Sequence, residues 1–112
     1  MDFEHAQIAF GLIVVETTYA LRDPEWISRN PQARADDLMR ALADPTIKAI
    51  ISMIGGEDSI RLLPYIDLNI IRTNPKIFMG YSDTTITHYI CWKAGLSSFY
   101  GPSFMAGFAE FN

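Results

Sequence analysis

The sequence alternates short apolar runs with segments of helical spacing, and two of those runs end on glycine. Ile47 to Ile54, with Ile50, Ile51 and Met53, leads into Gly55-Gly56. Ile77-Phe78-Met79 leads into Gly80-Tyr81-Ser82-Asp83. Runs of this length, rich in β-branched residues, suit strands buried inside a parallel sheet. Between them, Asn30-Pro31 opens a helix, because Asn can cap free amides and Pro fits the first helical position. Ala35, Leu38, Met39 and Leu42 follow at i, i+3, i+4, i+7, and Asp44-Pro45 ends the segment. Asp58 is placed to cap a short helix over Ser59 to Leu63, broken by Pro64, and Asp67 a further turn carrying Leu68 and Ile71.

After Gly80 the spacing predicts a helix over residues 84–94, with Ile86, Tyr89, Ile90 and Lys93, stopped at Gly95. A short strand follows at Ser98-Phe99-Tyr100, before Gly101-Pro102. Upstream, residues 2–10 read as a helix ending at a left-handed Gly11. Leu12-Ile13-Val14-Val15 reads as another buried strand, and residues 17–30 as a long connection with Asp23-Pro24 and Trp26. The whole predicts one α/β domain over residues 1–112: an open, mostly parallel sheet with helices on both faces, Rossmann- or flavodoxin-like. An opening helix where a strand would be expected, and an unpatterned tail holding Phe104, Phe108 and Phe111, give both ends the look of cut edges. Apolar surface exposed there predicts self-association through those three phenylalanines.

Charge and composition narrow the function. Nine Lys+Arg against thirteen Asp+Glu leave a net charge of −4, which argues against a nucleic-acid partner. No apolar run approaches the ~18–20 residues that cross a bilayer, and the start lacks the pattern of a secretory signal. A single cysteine, Cys91, cannot form an internal disulfide, and these features together suggest the cytoplasm. Two scattered histidines and one cysteine make no metal site, and no motif calls for a cofactor.

In an open parallel sheet, ligands bind beyond the C-terminal strand ends. Three glycine-containing loops fall at that edge: residues 55–58, 80–83 and 101–103. Ser82 lies between a strand and a helix, the placement of a nucleophile elbow, with Gly80 relieving crowding two residues before it. Thr84 stands where the usual pattern has a second glycine, and on pattern alone the commoner use of such a serine is to cap the helix. An acyl-transfer serine also needs a second amide donor, which Gly55-Gly56 could give. That turn could instead be ligand-free or cradle a phosphate, although Glu57 and Asp58 weigh against an anion. Arg61 is placed either to meet a substrate carboxylate or to form a surface ion pair. His88, six residues past Ser82, is expected to point away from the elbow, in a helix-surface or packing role and not as a general base. Cys91, mid-helix, reads as a small buried apolar residue.

The stretches Ile54-Gly55-Gly56-Glu57-Asp58-Ser59 to Asp67, and Asn74-Pro75 to Gly80-Tyr81-Ser82-Asp83, resemble the LD-carboxypeptidase family of serine peptidases. Asp23-Pro24-Glu25-Trp26 through Asp44-Pro45 is similar to its microcin C self-immunity branch. The resemblance implies Ser82 as nucleophile, with the amides of Asp83 and of Gly56 or Gly55 as oxyanion hole. It implies a metal-free Ser-His-Glu mechanism on an amide of a murein peptide or of a peptidyl or aminoacyl nucleotide, often in a homodimer. The family takes its Glu and His from a C-terminal domain, and no position here matches either. Nor is the family's first strand present. The expectation is therefore a nucleophile-bearing domain of a two-domain hydrolase, with little or no activity alone. The alternative is a non-catalytic truncated product or interaction module on the same fold.

Overall fold

The computed structural model describes residues 3–53, 56 and 58–107. Three parallel strands, β1 (Ala49–Ile51), β2 (Ile77–Gly80) and β3 (Phe99–Tyr100), lie side by side in chain order. Ala49 pairs with Ile77 and Ile51 with Met79, while Met79 pairs with Phe99 and Gly80 with Tyr100. Because all three run the same way, the loops after them meet at one edge. Phe104 N donates to Ser52 O at 2.7 Å, so the chain beyond β3 returns across the end of β1.

Helices α1 (Phe3–Phe10), α2 (Pro24–Arg29), α3 (Pro31–Ala43), α4 (Leu68–Thr73), α5 (Thr85–Lys93) and α6 (Phe104–Gly107) are joined by 3-10 helices at Ser59–Tyr65 and Ser82–Thr84. Met39 and Leu42 of α3, Ile71 of α4, and Ile90 with Ala94 at the end of α5 form one core, with Ile50 packed against it. Phe78, 4% exposed, meets the edge of the His88 ring. Side chains alternate along a strand. Ile77 accordingly faces away from that layer and is 53% exposed, while both residues of the edge strand β3, Phe99 and Tyr100, are exposed. Lys76 ties the bottoms of β1 and β2 together, donating to Asp44 O and Ile47 O at 2.7 Å each. Asp37 is buried on α3 and accepts from Tyr19 N at 2.8 Å and from Arg40, which fastens the long connection to the helix.

Several expectations need correction. Leu12–Val15 is not a buried strand: it has no regular structure, and Ile13 is 91% exposed. Its apolar residues favour extended backbone, but a strand also needs a neighbour's amides and carbonyls, and β1 ladders with β2. The 17–30 connection holds a helix, α2, capped by the Asp23 carboxylate, which accepts from Trp26 N at 2.9 Å. Asn30 does not cap α3; its amide donates to Trp26 O and closes α2. Asp58 makes no cap bond to the first 3-10 helix, and Pro64 sits inside that helix without breaking it. Phe104 is 5% exposed and so unsuited to self-association, while Phe108 and Phe111 lie outside the described residues.

Cys91 is 2% exposed, and burial pushes its thiol pKa up. The thiolate is the reactive form. Native protein should therefore resist thiol-specific alkylation at neutral pH and react fully once unfolded in denaturant. Fast alkylation of the folded protein, followed by intact mass, would contradict this packing.

Candidate functional site

The site begins with a strained backbone. Ser82 has φ of 61°, the only non-glycine among the described residues with a positive value. An L-residue in that region costs roughly 1–2 kcal/mol, so its surroundings must hold it there. Ser82 follows β2 directly after Tyr81, opens the Ser82–Thr84 turn, and is exposed. The chain therefore bends sharply from strand to helix at this serine.

Close approach explains Gly80. A Cβ there would meet Thr84 Cγ2 at 2.7 Å and Ser52 Cβ at 3.0 Å, and would also collide with Ser52 Oγ. Only a residue without a side chain lets β2 pass between the end of β1 and the turn.

Two loops distant in sequence are locked together by Asp83. Its carboxylate accepts from Ser59 Oγ at 2.6 Å and from Ser59 N at 3.1 Å. Asp83 thus does for the first 3-10 helix what Asp58 was expected to do. A Cβ on Gly56 would lie 3.5 Å from Asp83 Oδ2, so Gly56 neighbours the turn that carries Ser82. Asp83 N belongs to the first turn of its helix, where amides have no intrahelical acceptor. Gly55 lies outside the described residues.

Ser82 and Asp83 are adjacent, and Gly56 is brought to them. Arg61 is not drawn in as a free cation: its Nη1 donates to Ser28 O at 2.7 Å, with Asp58 3.9 Å from Nε. His88 packs, as expected, but does not point away. Its ring lies between Gly80 O, 2.8 Å from Nε2, and Ser98 Oγ, 2.6 Å from Nδ1. A carbonyl only accepts, so Nε2 carries the hydrogen, and neither ring nitrogen is free to act as a base. Sequence reasoning missed Ser59 and the side-chain role of Asp83. It also missed Tyr100, whose hydroxyl accepts from Ser82 N at 3.2 Å. Nothing in local spacing signals such pairs, since 24 and 18 residues separate their partners.

A hollow of about 270 Å³ flanks the turn, lined by Tyr81, Tyr100, Gly101 and Pro102. A larger one, about 570 Å³, lies between α5 and β3 around His88, Trp92 and Ser98. Among the described residues no cluster of His, Cys, Asp or Glu could hold a metal ion, and no helix is long and apolar enough to cross a membrane.

The sequence model of the LD-carboxypeptidase N-terminal domain matches residues 3–101. The chain belongs to the LD-carboxypeptidase family. It is 45% identical over 78 residues to the microcin C7 self-immunity protein MccF of Escherichia coli, covering 69% of this chain and 23% of that protein. An MccF-like protein from Streptococcus pneumoniae, solved with AMP, superposes with a TM-score of 0.86 at 36% identity, over 97% of this chain and 34% of that one. An MccF-like protein from Bacillus anthracis gives 0.81 at 39% identity, over 88% and 30%. MccF itself has been solved with aspartyl sulfamoyl adenosine, and gives 0.68 at 43% identity over 72% and 24%. The chain thus spans about a third or less of the relatives' length, and its fold is part of the family's N-terminal parallel-sheet domain.

Proposed function

We propose that Ser82 is the nucleophile of a serine carboxypeptidase, set on a nucleophile elbow. The positive φ of Ser82 at an exposed strand-to-helix turn carries the reading, because a serine that merely caps a helix has no need of it. The Ser82 hydroxyl attacks the carbonyl carbon of an amide, and its proton passes to a base. The amide nitrogen leaves with a proton, and water then hydrolyses the acyl ester. Asp83 N and a glycine amide of the 55–56 turn receive the oxyanion, which is worth about 2.7–4 kcal/mol per donor where such donors have been removed. The base and its orienting carboxylate, the His and Glu of the family triad, would come from polypeptide these 112 residues do not contain. These residues alone would then show little or no turnover.

Of the two substrate classes, the aminoacyl or peptidyl nucleotide is favoured over the murein peptide. MccF holds an aspartyl sulfamoyl adenosine, an amino acid joined to a nucleoside, and the Streptococcus pneumoniae relative holds AMP. We place the protein in the cytoplasm, acting as a homo-oligomer.

A fluorophosphonate probe on the intact protein tests this reading. Peptide mass spectrometry should find the adduct on Ser82 and none in Ser82→Ala. Labelling that persists in Ser82→Ala, or an unlabelled wild type, would overturn it.

A further inference from the structure

We propose that Tyr100 is a positioning residue for Ser82, an inference that rests on the nucleophile reading above. Holding Ser82 at φ of 61° takes restraint from outside its own turn. Restraint on the Asp83 side is already visible, through Ser59. On the N-terminal side, the Ser82 amide donates to the Tyr100 hydroxyl at 3.2 Å.

Tyr100 is itself fixed by its surroundings. It stands opposite Gly80 in the β2–β3 register. Its ring lies 5.6 Å from that of His88, centroid to centroid. His88 in turn bonds Gly80 O and Ser98, two residues before Ser82 and two before Tyr100 respectively. Gly80 O also accepts from Gly101 N at 3.2 Å, so the carbonyl ahead of the turn receives two donors. The result is a frame: β2, α5 and β3 are tied at Gly80, and the phenol reaches from that frame to the serine amide. Tyr100 is 68% exposed, more than a core tyrosine would be, and its hydroxyl accepts from the Ser82 amide.

Tyr100→Phe keeps the ring and removes the acceptor. In intact protein carrying 15N only in serine, the Ser82 amide signal is assigned by its loss in Ser82→Ala. Its hydrogen exchange should speed up by about two- to tenfold in Tyr100→Phe, the worth of one net hydrogen bond. The melting temperature should fall by no more than about 6 °C, and fluorophosphonate labelling should slow by about two- to tenfold. Unchanged exchange overturns the inference, as does faster exchange with an unchanged labelling rate. If wild-type Ser82 takes no label, the nucleophile reading fails by itself. Exchange then still decides whether Tyr100 holds this backbone.

Discussion

Replacing Gly80 with valine should lower stability by about 3 kcal/mol, the upper part of the range for overpacking a closed site. The new Cβ meets Ser52 Cβ and Thr84 Cγ2, both one or two bonds from backbone, so no flexible side-chain end can swing aside. Relief requires moving Ser52, whose amide is bonded to Met79 O at 3.0 Å, or moving the turn that carries Ser82. In a domain of this size each kcal/mol shifts the melting temperature by about 4 °C, so a fall of about 12 °C is expected. Labelling of Ser82 should drop in the same variant, although the serine is intact. A melting temperature within 2 °C of wild type, read by circular dichroism, would show that β2 does not pass so close.

Asp83→Ala should cost about 1.5–3 kcal/mol, the range for hydrogen bonds to a charged group. Ser59 is 4% exposed, so its amide and hydroxyl would lose their partner in a place water reaches poorly. The melting temperature should fall by about 6–12 °C. Exchange should accelerate over Ser59–Tyr65, the 3-10 helix that Asp83 anchors. Because Asp83→Ala keeps the backbone amide that we propose for the oxyanion hole, any loss of labelling measures how far Gly56 drifts once the two loops are untied. Stability equal to wild type would mean that the two loops are held by other contacts.

Much of the site was legible because strand-end chemistry is local. An apolar run, a glycine, a serine and then a helical pattern specify a strand-to-helix turn from a few consecutive residues. The same locality explains why Gly11 and Gly95, with φ of 67° and 85°, stand where helix-ending glycines were expected. Leu12–Val15 shows the limit. Its side chains satisfy every local preference for a strand, yet whether a strand exists depends on a neighbouring edge that spacing cannot reveal. Asp58 shows the same limit in reverse: a residue suited to capping by position lost the role to Asp83, which the fold carries in from the next loop.

By itself, then, the sequence determined the parallel α/β class, a strand-to-helix turn at Ser82 and a glycine two residues before it. Backbone propensity and the order of apolar run, glycine, serine and helix act over a few residues, whereas the crowding that requires Gly80 also comes from Ser52 on another strand end. Only tertiary structure decided that Gly56 abuts Asp83, that Ser59 is its partner, and that Tyr100 and His88 brace the serine. Those contacts join separate loops and strands, and they exist because three parallel strands deliver their C-terminal ends to one edge.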